Sequence, residues 1–140
     1  QVCKGVGYDI GCNRPEWKLP GAIGVDLNMP PYTDAYNLPV RFDNAGKDSV
    51  DYIFSSHCLE HLPNWVEALD YWQTKLRQGG VLFLYLPHPS QQYWRPWNNR
   101  KHIHVLHPED IKQYLIDNEW KNIFVSGCDL NNSYCVMAEK

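Results

Sequence analysis

Short apolar runs separated by helix-length amphipathic stretches set the outline of this chain. Six runs rich in β-branched and aromatic residues recur, at residues 6–10, 22–27, 50–55, 81–86, 122–126 and 134–138. Several are apolar throughout rather than alternating, the pattern of strands covered on both faces. Between the third and fourth runs, residues 64–77 carry Trp65, Leu69, Trp72 and Leu76 at helical spacing, and Gln78, Gly79 and Gly80 supply a C-terminal stop. Between the fourth and fifth, residues 108–118 place Ile111, Tyr114 and Leu115 on one helical face. Strand, helix, strand, helix, strand predicts an α/β fold with a doubly wound, mostly parallel sheet. The last two runs are joined only by residues 127–133, too few for a crossover helix, so they are expected to pair as an antiparallel edge hairpin.

The chain of 140 residues suits a single domain over 1–140, able to bury roughly 68% of its unfolded surface. No linker, repeat or low-complexity tract divides it, and no apolar run approaches the roughly 18 residues of a membrane span. The net charge of −3 comes with no basic stripe, which makes nucleic acid an unlikely partner. Five cysteines, with no CxxC pair and no secretory h-region, point to a reduced, cytoplasmic protein. Cys128 with Cys135 is the single pairing the spacing suggests. The chain opens at Gln1 and enters its first strand almost at once, which leaves room for residues upstream.

In an open α/β sheet, ligands bind beyond the carboxyl ends of the strands, where turns offer free N–H groups. "YDIGCN" ends the first run at such a place, and "GVDLN" ends the second with Asp26, fifteen residues past Gly11. A carboxylate there can accept both hydroxyls of a ribose, so glycine plus downstream acid points to a nucleoside-containing cofactor.

Residues 34–87, and above all "DYIFSSHCLEHL" (51–62) and "LRQGGVL" (76–82), resemble the class I S-adenosylmethionine-dependent methyltransferases, in particular small methyltransferase domains of the type 11 kind. The resemblance extends to "YDIGC", "GVDLN" and more faintly to residues 106–123, and so covers nearly the whole chain. It implies a Rossmann-like methyltransferase fold with S-adenosyl-L-methionine as cofactor. By the same resemblance Asp9, Gly11, Cys12 and Asn13 line the methionine and ribose part. Asp26 and Leu27 hold the ribose and flank the adenine, Asp34 and Ala35 meet the adenine edge, and Ser55, Ser56 and His57 close over the sulfonium end. An acid-rich rim suits a cationic ligand better than a pyrophosphate.

The first turn departs from the family pattern, since only residues 14–21 separate Asn13 from the second run and they include Pro15 and Pro20. The first helix is therefore expected to be shortened or absent, and the pocket closed, open, or completed by a second chain in a homodimer. The resemblance implies direct methyl transfer to an oxygen or nitrogen atom of a small-molecule or glycan-type acceptor, in which alignment dominates and a histidine serves as base. Among six histidines, His88 and His104 are the preferred bases. Competing readings are a degenerate non-catalytic domain, a nicotinamide oxidoreductase, and an RNA methyltransferase using Arg95, Arg100 and Lys101. Methyl transfer needs no metal and none is expected. The pattern "HIHVLH" nevertheless offers His102 and His104 on a shared strand face, with His88 or His57 as a third ligand. Tyr93, Trp94 and Trp97 form either a substrate lid or packing over the sheet.

Overall fold

The computed structural model describes residues 2–26 and 45–140. Its strands are β1 (Gly7–Ile10), β2 (Ile23–Val25), β3 (Val50–Ser56), β4 (Leu76–Pro87), β5 (Lys121–Val125) and β6 (Ser133–Glu139); its α-helices are α1 (Trp65–Lys75) and α2 (Pro108–Asp117). They form one six-stranded sheet in the order β2-β1-β3-β4-β6-β5. Strands β1 to β4 pair in parallel, while β6 runs antiparallel to both β4 and β5. This is the expected mostly parallel sheet with an antiparallel edge pair. The order reverses at β1, whose two neighbours are β2 and β3, so the topological switch point lies between the carboxyl ends of β1 and β3.

Alternation along the strands decides what is buried. Leu82, Leu84 and Leu86 of β4 and Tyr134, Val136 and Ala138 of β6 join Leu69, Trp72, Ile111 and Leu115 of the helices in one core. The helices touch each other through the rings of Trp65 and Tyr114, 5.5 Å apart, and through the Tyr114 hydroxyl, which donates to Asp70 at 2.5 Å. Phe54 and Phe83, on the opposite face, are half-buried with centroids 5.4 Å apart. With Val2, Cys3, Leu19 and Pro20 they frame a shallow apolar cleft of about 310 Å³.

Helix α1 starts on Asn64, whose side chain accepts from the Glu67 N–H at 3.2 Å. Its end corrects the sequence-based expectation, because Gln78, Gly79 and Gly80 do not cap it but lie inside β4. Leu76 is fully buried and pairs with Val50, so the chain turns from helix to strand without a spacer. The carbonyls at the helix end are satisfied from outside: Asp48 N–H donates to Thr74 O at 3.0 Å and Ser49 N–H to Lys75 O at 2.9 Å. A glycine cap is then unnecessary.

The connection from β1 to β2 contains turns and no helix. Its backbone is held instead by the Asp9 carboxylate, which accepts from Leu19 N–H at 2.6 Å, and by Gly11 N–H donating to Val25 O at 2.7 Å. All five cysteines are free, so Cys128 and Cys135 form no bridge. Among the described residues no helix is long and apolar enough to cross a membrane.

Candidate active site

A cleft of about 330 Å³ opens at the switch point, lined by Asp9, Gly11, Cys12, Asn13, Trp17, Phe54, Ser56 and His57. The parallel register brings it together: Asp9 lies beside Phe54, and Ile10 beside Ser55, so the turn after β1 faces the turn after β3. Gly11 has φ +83°, and a Cβ there would fall 2.4 Å from the Cys58 Cβ, so only glycine lets the two turns close together. Asn13 is also left-handed (φ +61°), which directs its N–H to the Asp26 carboxylate at 2.8 Å. The turn after β1 is thereby clamped to the end of β2.

Two carboxylates give the cleft its character. Asp9 is buried, and burial pushes its carboxyl above the usual range; the Asp26 charge adds to this, while the Leu19 N–H and Lys18 oppose it. Burial, together with Asp9 and Asp26, pushes the Cys12 thiol up to about 11. Ser55 turns inward and donates to Ile10 O at 2.9 Å, bracing β1 against β3 rather than facing the cleft. His57, with φ +48°, projects onto the cleft wall; its Nε2 is 3.2 Å from Ser133 Oγ.

The family profile described as "Methyltransferase domain" matches residues 1–124. The chain belongs to this methyltransferase family. Among solved structures, the methyltransferase resembles a SAM-dependent methyltransferase from Archaeoglobus fulgidus (18% identity over 99% of this chain and 86% of that one, TM-score 0.71). It also resembles a Haloferax volcanii methyltransferase solved with its Trm112 activator (14% identity, 99% and 84%, TM-score 0.68). A third is the Haemonchus contortus phosphoethanolamine N-methyltransferase 2 bound to S-adenosyl-L-methionine (13% identity, 100% and 49%, TM-score 0.67). No curated protein sequence matches the chain.

The chain thus carries the methyltransferase domain of this family, and the group held in the Haemonchus contortus structure is S-adenosyl-L-methionine. The cleft fits that group: the buried Asp9 carboxylate lines it and suits a ligand that carries positive charge, and the rings of Trp17 and Phe54 supply apolar wall. Of the residues expected around the cofactor, Asp9, Gly11, Cys12, Asn13, Ser56 and His57 line this cleft. Asp26 reaches it through Asn13, and Ser55 lies behind it. Leu27, Asp34 and Ala35 lie outside the described residues.

His88 and His104 come together elsewhere, in a second cleft of about 10 Å³ beyond Trp94. His88 Nδ1 is 2.8 Å from Ser90 Oγ and accepts from Ser90 N–H at 3.2 Å, while His104 Nε2 is 3.2 Å from Pro63 O. His102 and His104 do not share a strand face, since residues 102–106 form no strand and His102 alone turns inward. The aromatic cluster also divides: Trp94 stacks on His102 (centroids 5.2 Å, 11°) and packs 5.8 Å from His57, whereas Tyr93 and Trp97 are exposed.

Sequence reasoning left Glu60 without a role. It is fully buried in a single 3-10 turn, Leu59–His61, with three imidazoles around one carboxylate oxygen: His57 at 3.5 Å, His61 at 3.8 Å and His102 at 3.9 Å. The available signal was the "LEH" step itself, an acid beside an imidazole in an otherwise apolar turn.

Proposed function

We propose that the enzyme methylates an oxygen or nitrogen of a small-molecule or glycan-type acceptor at the mouth of the larger cleft. The observation that carries this reading is the convergence of Asp9, Asn13 and His57 from two strand ends onto one cleft at the switch point. S-adenosyl-L-methionine supplies an electrophilic methyl group on sulfur. Asp9 and the Asn13 turn bind the methionine and ribose portion, Asp26 accepts from the ribose hydroxyls, and Leu27, Asp34 and Ala35 enclose the adenine by the family resemblance. Trp17 and Phe54 give the cleft its apolar wall. Catalysis is then chiefly the alignment of two bound reactants.

Where the acceptor arrives protonated, His57 is the imidazole positioned to take that proton, because it stands on the wall of this cleft while His88 and His104 stand in the other. The surroundings favour a compact acceptor over a polynucleotide. Net charge is −3, Arg14 lies over the Trp17 ring, and Arg95 donates to Pro89 O at 2.5 Å and packs over Trp97. Arg14 and Arg95 are thus held by local contacts rather than arrayed for a phosphodiester backbone. Five free thiols fit a reducing compartment such as the cytoplasm.

The test is transfer of a labelled methyl group from S-adenosyl-L-methionine to pooled small molecules, glycans and RNA. Label in the first two pools is the expected result. Label confined to RNA, with salt-dependent retention, overturns this choice of acceptor.

A further inference from the structure

The cluster around Glu60 is not accounted for by methyl transfer. Glu60 has no exposed surface, and neither carboxylate oxygen has a hydrogen-bond partner. A buried carboxylate is retained only where a cation or donors compensate it. The nearest candidates are imidazole nitrogens at 3.5 to 3.9 Å, beyond hydrogen-bond reach.

The second shell fixes what one of those nitrogens is. His61 Nδ1 lies 2.6 Å from Lys101 O. A carbonyl can only accept, so Nδ1 carries the proton, and in the neutral ring Nε2 presents a lone pair toward the Glu60 carboxylate. Two acceptors facing each other at 3.8 Å call for a cation between them. A ligating histidine held through its other nitrogen by a backbone carbonyl is the usual outer-shell arrangement of a metal site.

His102 completes the set. It is buried, its Nε2 is 3.9 Å from the same Glu60 oxygen, and its ring meets His61 edge-on with centroids 4.5 Å apart. One ligand atom from each of Glu60, His61 and His102 lies within 4.8 Å of the others. Tetrahedral donors bonded at about 2.0 to 2.1 Å stand about 3.3 Å apart, so a small contraction closes the site. The loop bearing His102 is tied to the turn already, because the N–H groups of Ile103 and His104 both donate to Glu60 O at 3.1 Å.

We propose that Glu60, His61 and His102 form a binding site for a divalent first-row transition metal ion of the Zn²⁺ type. One carboxylate and two imidazoles are a donor set suited to Zn²⁺, and three protein ligands leave a fourth position for water or another small ligand. The site lies beside the methyl-transfer cleft without being part of it. His57 lines the cleft and its Nδ1 is 3.5 Å from the Glu60 oxygen that faces the metal position. The assignment does not depend on the acceptor.

The test is titration of untagged, chelator-treated protein with Co²⁺, read by visible absorption, followed by displacement with Zn²⁺ and by the thermal shift each ion produces. The expected result is one equivalent of Co²⁺ with the intense bands of four-coordination, displaced by Zn²⁺, and a raised melting temperature. His61→Ala, at a partly exposed position, and Glu60→Gln, which keeps the volume, each weaken binding at least about tenfold. His107→Ala, outside the cluster, does not. Circular dichroism confirms that the variants are folded. Absence of saturable Co²⁺ and Zn²⁺ binding by the unmodified protein overturns the proposal, as does binding that survives both Glu60→Gln and His61→Ala. Because cofactor is absent from the titration, failure to bind S-adenosyl-L-methionine leaves its outcome unaffected.

Discussion

The Asn13 N–H donates to the Asp26 carboxylate at 2.8 Å, joining the turn after β1 to the end of β2. In a protein whose first connection has no helix, this bond replaces the helix N-terminus as the element that fixes the turn lining the cleft. Asp26 shapes the turn, and in the function proposed above it also receives the ribose. Asp26→Ala is expected to weaken S-adenosyl-L-methionine binding by roughly 1.5 to 3 kcal/mol for each hydrogen bond lost to the charged group, about tenfold or more in Kd. Calorimetric titration measures it, and an unchanged Kd would place the ribose elsewhere.

Asp9 predicts how that affinity depends on pH. Its carboxyl is held above the ordinary range by burial and by Asp26, so in the free protein it ionises late. A positively charged ligand favours the carboxylate, so binding releases a proton and affinity rises with pH through the Asp9 titration. Stability runs the other way. The folded protein holds this proton more tightly than the unfolded chain, so the contribution is full below about pH 3.9 and is lost as pH rises through the raised folded value. Asp9→Asn, which still offers Leu19 N–H an acceptor, should flatten both dependences. Titrations and thermal melts from pH 4 to 7 on the two proteins decide the matter.

Gly11 is the tightest point of the site. Alanine there would need a left-handed backbone and would put a methyl 2.4 Å from the Cys58 Cβ. The conformational term is about 1 to 2 kcal/mol and overpacking adds about 1 to 3 kcal/mol. Gly11→Ala is expected to lower stability by about 2 to 5 kcal/mol in urea unfolding, and to impair cofactor binding even at low temperature where the protein remains folded. A loss of less than about 0.5 kcal/mol would show that the turns have slack between them.

The same residues show how far sequence carries. The sheet and α2 were legible because Ile53, Leu82, Leu84 and Ile111 follow strand and helix periods, and a period is a local property. The place of the larger cleft was legible because Asp9 and Gly11 sit at the end of β1, whose position follows from the strands. The end of α1 was not, since the donors that cap it, Asp48 and Ser49, lie more than twenty residues upstream. Nor was the Glu60 cluster, which joins residues 57–61 to residue 102 through a loop with no periodicity. His88, just past a strand, and His104, on the approach to the late helix, were legible only as neighbours of the strand ends, and both line a separate cleft.

Thiol reactivity tests the burial around the turn. Cys12 is held up to about 11 and Cys58 is raised by burial, so both are almost wholly protonated at pH 8, whereas Cys128 is exposed. A charged thiol reagent should label Cys128 quickly in the native protein, and Cys12 and Cys58 only on unfolding. Mass spectrometry of the labelled peptides reads the order. Rapid native labelling of Cys12 would mean that the turn after β1 opens on the timescale of the reaction.

The three histidines near the two clefts can be separated by kinetics. A positioned base contributes typically about 10²- to 10⁴-fold to rate, so His57→Asn should lower kcat by that order while leaving cofactor Kd within a few-fold. His88→Asn and His104→Asn, in the smaller cleft, should leave kcat within a few-fold. A role in shaping the turn alone would instead move the Kd of His57→Asn together with its stability, because His57 N–H donates to Tyr85 O through the backbone and its ring packs 5.4 Å from Tyr85. The pH profile distinguishes the cases further. A proton-accepting imidazole gives a kcat that rises with pH and levels off once the ring is neutral, and this limb should disappear in His57→Asn but persist in the other two variants. If it disappears instead in His88→Asn or His104→Asn, the acceptor reacts beyond Trp94 and the smaller cleft must open during turnover.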